Sequence, residues 1–335
     1  MFKPEYRITN HFLSCLTEIT RLSEKIIQTK IRLPLKLKIQ RDAITLNTHS
    51  STSIEGNTLS LSQVSKLVHH EDVAADDTQK KEVLNYINVM NWILKHPHLP
   101  ITEMRLLRLH QQVMHQLLPK EKSGHYKTKN NVVVDSKKIV IFRPPGPERT
   151  SKLISELLEW INTPSNIHPI IKSAIFHHQF VTIHPFSDGN GRLARCISEW
   201  ILYHHQFYPY HLLSFDNYYA NDRQKYYQKI QQARDLDFDF TYWIEYVAEG
   251  ISSTLKKLFN RIQQISSKSS KEIELTPKQI ELIEHLQSNG ALGSKDIGEK
   301  LKISRARVNQ LILPLVKTKI IQKEGKARAT RYLLS

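Results

Sequence analysis

Apolar residues recur at three- and four-residue intervals along most of the chain. That spacing predicts amphipathic helices over 36–55, 60–70, 78–95, 101–118, 150–162, 169–182, 191–206 and 241–264. One stretch departs from it. In NVVVDSKKIVIF (131–142), two β-branched runs flank Asp135, Ser136 and Lys137, which predicts a short hairpin. Pro144, Pro145 and Pro147 then stop the second strand from continuing regularly. Periodicity is lost in SSKSSKEIE (266–274), which reads as a linker. Beyond it, Thr276 and Pro277 cap and start a helix that Asn289 and Gly290 end. Ser294 and Ser304 open two more helical segments, and IIQKEGKARATRYLL reads as two strands around Gly325. The expected fold is mainly α, with one projecting hairpin and a small C-terminal unit.

Composition narrows the class of protein. The 335 residues suffice for two domains, and 40% hydrophobic with 24% charged is an ordinary globular balance. No apolar run approaches the ~20 residues of a membrane span. The segment MFKPEYRITNHF lacks the apolar core of a secretory signal. Cys15 and Cys196 make no disulfide framework, so the expectation is a soluble cytoplasmic protein without a membrane partner. A net charge of +16 favours polyanionic partners.

Chemistry concentrates in HPFSDGNGRLAR (184–195). Pro185 biases His184 away from helical geometry, and an imidazole titrates close enough to neutrality to take a proton from a hydroxyl. Asp188 offers a hard oxygen suited to Mg²⁺, which reaches such sites with its phosphates. Gly189 and Gly191 around Asn190 allow a tight turn that aims amide hydrogens at an anion, and the helix starting there adds its positive end. Arg192 and Arg195, three apart, share a helix face and suit phosphate oxygens. Together these groups predict a phosphate-transfer site. A metal-dependent phosphohydrolase built on His177, His178, His184 and Asp188 is the alternative, though adjacent histidines on a helix point to different faces.

This loop resembles the active-site motif of the Fic family, HPFx(D/E)GNGRxxR, and the resemblance extends over roughly residues 36–250. It takes in SSTSIEGN (50–57), GHYK (124–127), the hairpin, FRPP (142–145), RQKYY (223–227) and the region of Trp243. Lys127 stands where the family usually has arginine. The resemblance implies a Fic-type helical bundle with a β-hairpin flap. The implied activity is AMP transfer from ATP, with Mg²⁺, to a Ser, Thr or Tyr hydroxyl of a protein substrate. His184 would be the general base and Asp188 the metal ligand. Gly189, Asn190 and Gly191 would cradle the α- and β-phosphates, with Arg192 on phosphate and Arg195 on the γ-phosphate. Tyr226 and Tyr227 would lie against the adenosine. Ile139, Val140, Ile141 and Phe142 would form the flap that docks a target segment by strand addition.

SSTSIEGN also resembles the family's inhibitory motif, here Ser51, Glu55 and Gly56 on a helix of about 36–56. Glu55 would pair with Arg195 and occupy the charge meant for the γ-phosphate. The same carboxylate could position water to remove AMP from a product, and dimers are a further implication of this class. The expected domains are 1–110 (inhibitory region), 111–250 (catalytic core), 251–274 (helix end and linker) and 275–335. The last resembles a winged helix-turn-helix. Its recognition helix SRARVNQLI would present Arg305, Arg307, Asn309 and Gln310 to double-stranded DNA, with Lys326 and Arg328 in the wing. From 271 to 335 there are 13 Lys and Arg against 7 Asp and Glu. The two functional expectations are an enzyme acting on a DNA-associated protein, and a transcriptional regulator whose Fic-like domain senses nucleotide or modifies itself.

Overall fold

The computed structural model describes residues 2–29, 31, 33–134, 139–205, 214–268, 275–318, 320–325 and 330–334. The predicted hairpin turn at Asp135, Ser136 and Lys137, most of the linker, and Lys326 and Arg328 lie outside the described residues.

The body is helical. α1 (Asn10–Gln28), α2 (Leu33–Ile54), α3 (Leu61–Val68), α4 (Asp77–Lys95) and α5 (Glu103–Val113) precede a hairpin of β1 (Val133–Val134) and β2 (Val140–Phe142). Then follow α6 (Pro147–Asn162), α7 (Pro169–Ile183), α8 (Asn190–His204), α9 (Asp216–Asn221), α10 (Arg223–Asp235) and α11 (Thr241–Lys268). α1 was not foreseen. Phe12, Ile19, Leu22 and Ile26 form its buried stripe behind a Thr9 cap, but exposed Leu13 and Ile27 blur that stripe in the sequence. The helix expected over 101–118 stops at Val113, and Gln116 has a left-handed φ of 57°.

α7 is the central helix, buried on every side from Ile170 to Ile183 except at Gln179. Its polar side chains are therefore buried too, and Lys172, Ser173, His177, His178 and Thr182 each find a hydrogen-bond partner. It packs against α8 and α11, and Trp243 Nε1 donates to Ala174 O at 2.6 Å. The C-terminal unit comprises α12 (Pro277–Asn289), β3 (Leu292–Gly293), α13 (Ser294–Leu301), α14 (Arg305–Lys317), β4 (Ile321–Glu324) and β5 (Arg331–Leu334). Its antiparallel sheet runs β3-β5-β4, so β3 adds a strand to the two expected.

Candidate active site

His184 ends α7 in a left-handed conformation (φ 50°, ψ 59°), strained backbone for a non-glycine residue. The turn after it is held from several sides. Asn190 spends its whole amide on Phe186: Phe186 N donates to Asn190 Oδ1, and Asn190 Nδ2 donates to Phe186 O, both at 2.9 Å. Asn131 Nδ2 donates to His184 O and Phe186 O at 3.2 and 3.0 Å. Lys127 Nζ donates to Asn131 Oδ1 and Ile183 O at 2.9 and 3.2 Å, and burial lowers its pKa to about 8. The departure from arginine at Lys127 therefore serves as a staple under the loop. His110 stacks on Phe186 with ring centroids 3.6 Å apart. Its Nδ1 accepts from Gly124 N, which leaves the proton on Nε2 to donate to Asp188 O at 3.0 Å.

This scaffold leaves one nitrogen of His184 available. Nδ1 donates to Val181 O at 3.1 Å, which fixes the lone pair on Nε2. Burial, aided by the charge of Lys127, lowers the His184 pKa to about 4, so the imidazole is neutral and ready to accept a proton at pH 7. The first turn of α8 leaves the N–H groups of Asn190, Gly191 and Arg192 without intrahelical acceptors. With its side chain committed to Phe186, Asn190 contributes to an anion site through its backbone.

The two arginines are positioned differently. Arg192 Nη1 pairs with Glu82 Oε1 at 2.5 Å, and Nη2 with Asp188 Oδ1 at 3.1 Å. Its buried Nε has no partner among the described residues. Glu82 Oε2 in turn accepts from Asn57 Nδ2 at 2.8 Å, tying Arg192 to the turn that follows α2. Arg195 is 1% exposed. Its Nε donates to Ser51 Oγ at 2.6 Å, and Nη2 donates to Ser51 O and Glu55 Oε1 at 3.0 and 2.6 Å. Asp216 Oδ2, which accepts from Tyr86 Oη, lies 3.8 Å behind it. Burial disfavours an ionised Glu55, but the Arg195 and Arg192 guanidiniums outweigh it and hold the carboxyl below its usual range. Gly56, at φ 102°, takes the backbone conformation that ends α2. Gly191 admits the carboxylate: a Cβ there would stand 2.4 Å from Glu55 Oε1.

Tyr227 is 37% exposed, whereas Tyr226 is 1% exposed and holds His177 Nε2 at 2.8 Å. His177 and His178 are committed to Tyr226 Oη and Ile230 O. Among the described residues no group of three or more His, Cys, Asp or Glu side chains could hold a metal. In the hairpin, Ile139, Val140 and Ile141 are exposed, while Phe142 lies under Arg234, whose guanidinium carbon is 3.7 Å from the ring centroid. A cavity of about 560 Å³ lies beside this strand, bordered by Phe142, Arg143, Arg149 and Ile183. On α14, Arg305, Arg307, Asn309 and Gln310 are all exposed, with Ser304 capping the helix.

A left-handed histidine, a glycine-bounded turn and an arginine-bearing helix start lie together inside a helical bundle beside a hairpin. Residues 100–202 match the model of the Fic/DOC family. The chain is 26% identical over 273 residues to protein adenylyltransferase fic-1 of Caenorhabditis elegans, covering 77% of this chain and 50% of that protein. It is 31% identical over 219 residues to protein adenylyltransferase Fic of Nematostella vectensis, covering 61% and 46%. The chain thus spans about half the length of the curated relatives it matches. A Fic family protein from Desulfovibrio desulfuricans shares the fold over 100% of this chain and 98% of its own, with TM-score 0.68 and 24% identity. C. elegans Fic-1 does so over 76% and 73%, with TM-score 0.63 and 22% identity. No described helix is long and apolar enough to cross a membrane.

Proposed function

We propose that this protein transfers AMP from ATP to a hydroxyl side chain of a protein, and that Glu55 restrains the reaction. The pairing of Glu55 with Arg195, beside an orphaned Arg192 Nε at the start of α8, is the observation that carries this reading. In the released state, Arg195 grips the γ-phosphate while the α8 N–H groups and Arg192 take the α- and β-phosphates. Asp188 would hold a Mg²⁺ that neutralises phosphate charge, since its Oδ2 has no hydrogen-bond partner among the described residues. The target hydroxyl gives its proton to His184 Nε2 as its oxygen attacks the α-phosphorus. The bond from that phosphorus to the bridging oxygen breaks, and pyrophosphate leaves. A target strand added to the free edge of β2 would place the hydroxyl there, with room for a neighbouring side chain in the cavity beside Phe142.

Removing one partner of a buried ion pair costs roughly 3–5 kcal/mol, and every ~1.4 kcal/mol is tenfold in rate. Glu55→Gly is therefore expected to raise AMP incorporation from labelled ATP by on the order of a thousandfold. His184→Ala in the same background should abolish the gain. Equal labelling of wild type and Glu55→Gly would refute the restraint; labelling that persists without His184 would refute the assigned base. The same carboxylate positions water for removal of AMP from a labelled product, so Glu55→Gly should lack that hydrolysis. The exposed polar face of α14 and the basic C-terminal unit favour duplex DNA as a second partner, bound in the manner of a winged helix.

A further inference from the structure

α2 belongs to two cores at once. Its last turn delivers Ser51 and Glu55 to Arg195, and Ile39 and Ile54 pack into the core of the helical body. Leu37, only 4% exposed, is buried instead in the core of the C-terminal unit, where every other buried member lies between Leu282 and Leu334. Leu33 packs against that same cluster. One turn on from Leu37, Arg41 Nη1 donates to Leu334 O at 2.9 Å, gripping the end of β5. Between Leu37 and Ser51 the helix contains neither glycine nor proline, so nothing breaks its ladder over about 20 Å. A displacement imposed at Leu37 is carried to Glu55 as movement of one element rather than absorbed by a hinge.

Resting on the Glu55 restraint proposed above, we infer that the C-terminal unit anchors the inhibitory helix, so that a partner seated on this unit sets how firmly Glu55 holds Arg195. A partner releases Arg195 only by binding more tightly to the arrangement in which Glu55 has left it. The C-terminal unit is thus the regulatory input of the site, acting through Leu33, Leu37 and Arg41 rather than by delivering a substrate. The body's own contacts to Ile39 and Ile54 keep α2 folded when the anchor is loosened.

The restraint can be read without a protein target, because Arg195 discriminates ATP from ADP only when Glu55 is off it. Calorimetric titration of the full chain with each nucleotide gives the ratio of the two affinities. In the wild type the ratio should be near one, and Glu55→Gly should move it toward ATP by about tenfold, within the usual span of coupling between sites. Leu37→Ala and Arg41→Ala are expected to move it in the same direction with Glu55 in place, and neither should add to Glu55→Gly. Arg41→Ala leaves both apolar cores intact, which separates loss of the anchor from loss of folding. If Glu55→Gly shifts the ratio and neither Leu37→Ala nor Arg41→Ala does, the anchor is overturned while the restraint stands. No shift in Glu55→Gly itself would overturn the restraint, and the anchor with it.

Discussion

His184 shows how one residue's surroundings decide its chemistry. An exposed imidazole would titrate near 6.5, but burial lowers this one to about 4 and the carbonyl of Val181 selects its tautomer. AMP transfer by the Glu55→Gly protein should accordingly stay level as pH falls from 8 to about 6, and decline only towards the lowered pKa near 4. A pH–rate profile with an acid limb at 6.5 would remove His184 from the role of base. Stability carries the same sign. His110 and His178 are likewise lowered by burial, to about 4 and about 3, so between those values and 6.5 the unfolded chain binds more protons. Their contribution is fully present above pH 6.5 and is lost as pH falls through the folded values. The difference in urea midpoint between the wild type and His178→Gln should therefore be constant from pH 8 to about 6.5 and shift against the wild type below it; a difference that stays constant down to pH 4 would contradict this.

α7 and α8 place this chemistry because they form the deepest packing in the body. Trp243, fully buried, lies against His177 and His178 and donates to Ala174 O within α7. Trp243→Ala should cost about 3–5 kcal/mol in denaturant unfolding, the usual range for truncating a buried tryptophan. A loss under 1 kcal/mol would mean that α7 does not depend on α11 for its position. α1 also packs on α11: Phe12, Ile19, Leu22 and Ile26 fill the same core, although none of the site's residues lies on that helix.

The molecule as a whole is basic, with a net charge of +16, and its C-terminal unit keeps Arg305 and Arg307 exposed at the start of α14. Binding to duplex DNA should weaken steeply with salt, with log K falling by about 0.9 per log unit of salt for each phosphate neutralised. Arg305→Glu with Arg307→Glu should weaken binding and flatten that slope by about two phosphates in a fluorescence titration at several salt concentrations. An unchanged slope would place the DNA face elsewhere and favour α14 as a protein-docking surface.

The loop 184–195 was legible in the chain because its histidine, carboxylate, glycines and arginines are near neighbours, so geometry within two turns sets their arrangement. Ser51 and Glu55 were readable as one helix face for the same reason. Glu82 on Arg192, Asp216 behind Arg195, His110 under Asp188, and Asn131 beneath His184 were not. Each is separated from its partner by about twenty residues or more, and no local periodicity carries information about such a pairing. Nor does the sequence reveal that the side chain of Asn190 pairs with Phe186 and that of Tyr226 with His177. Leu37 is the strongest case. Spacing along α2 marks it as an inward-facing leucine, but which of two cores receives it depends on where the C-terminal unit settles. Periodicity assigns a side chain to a face; only long-range packing chooses what that face meets.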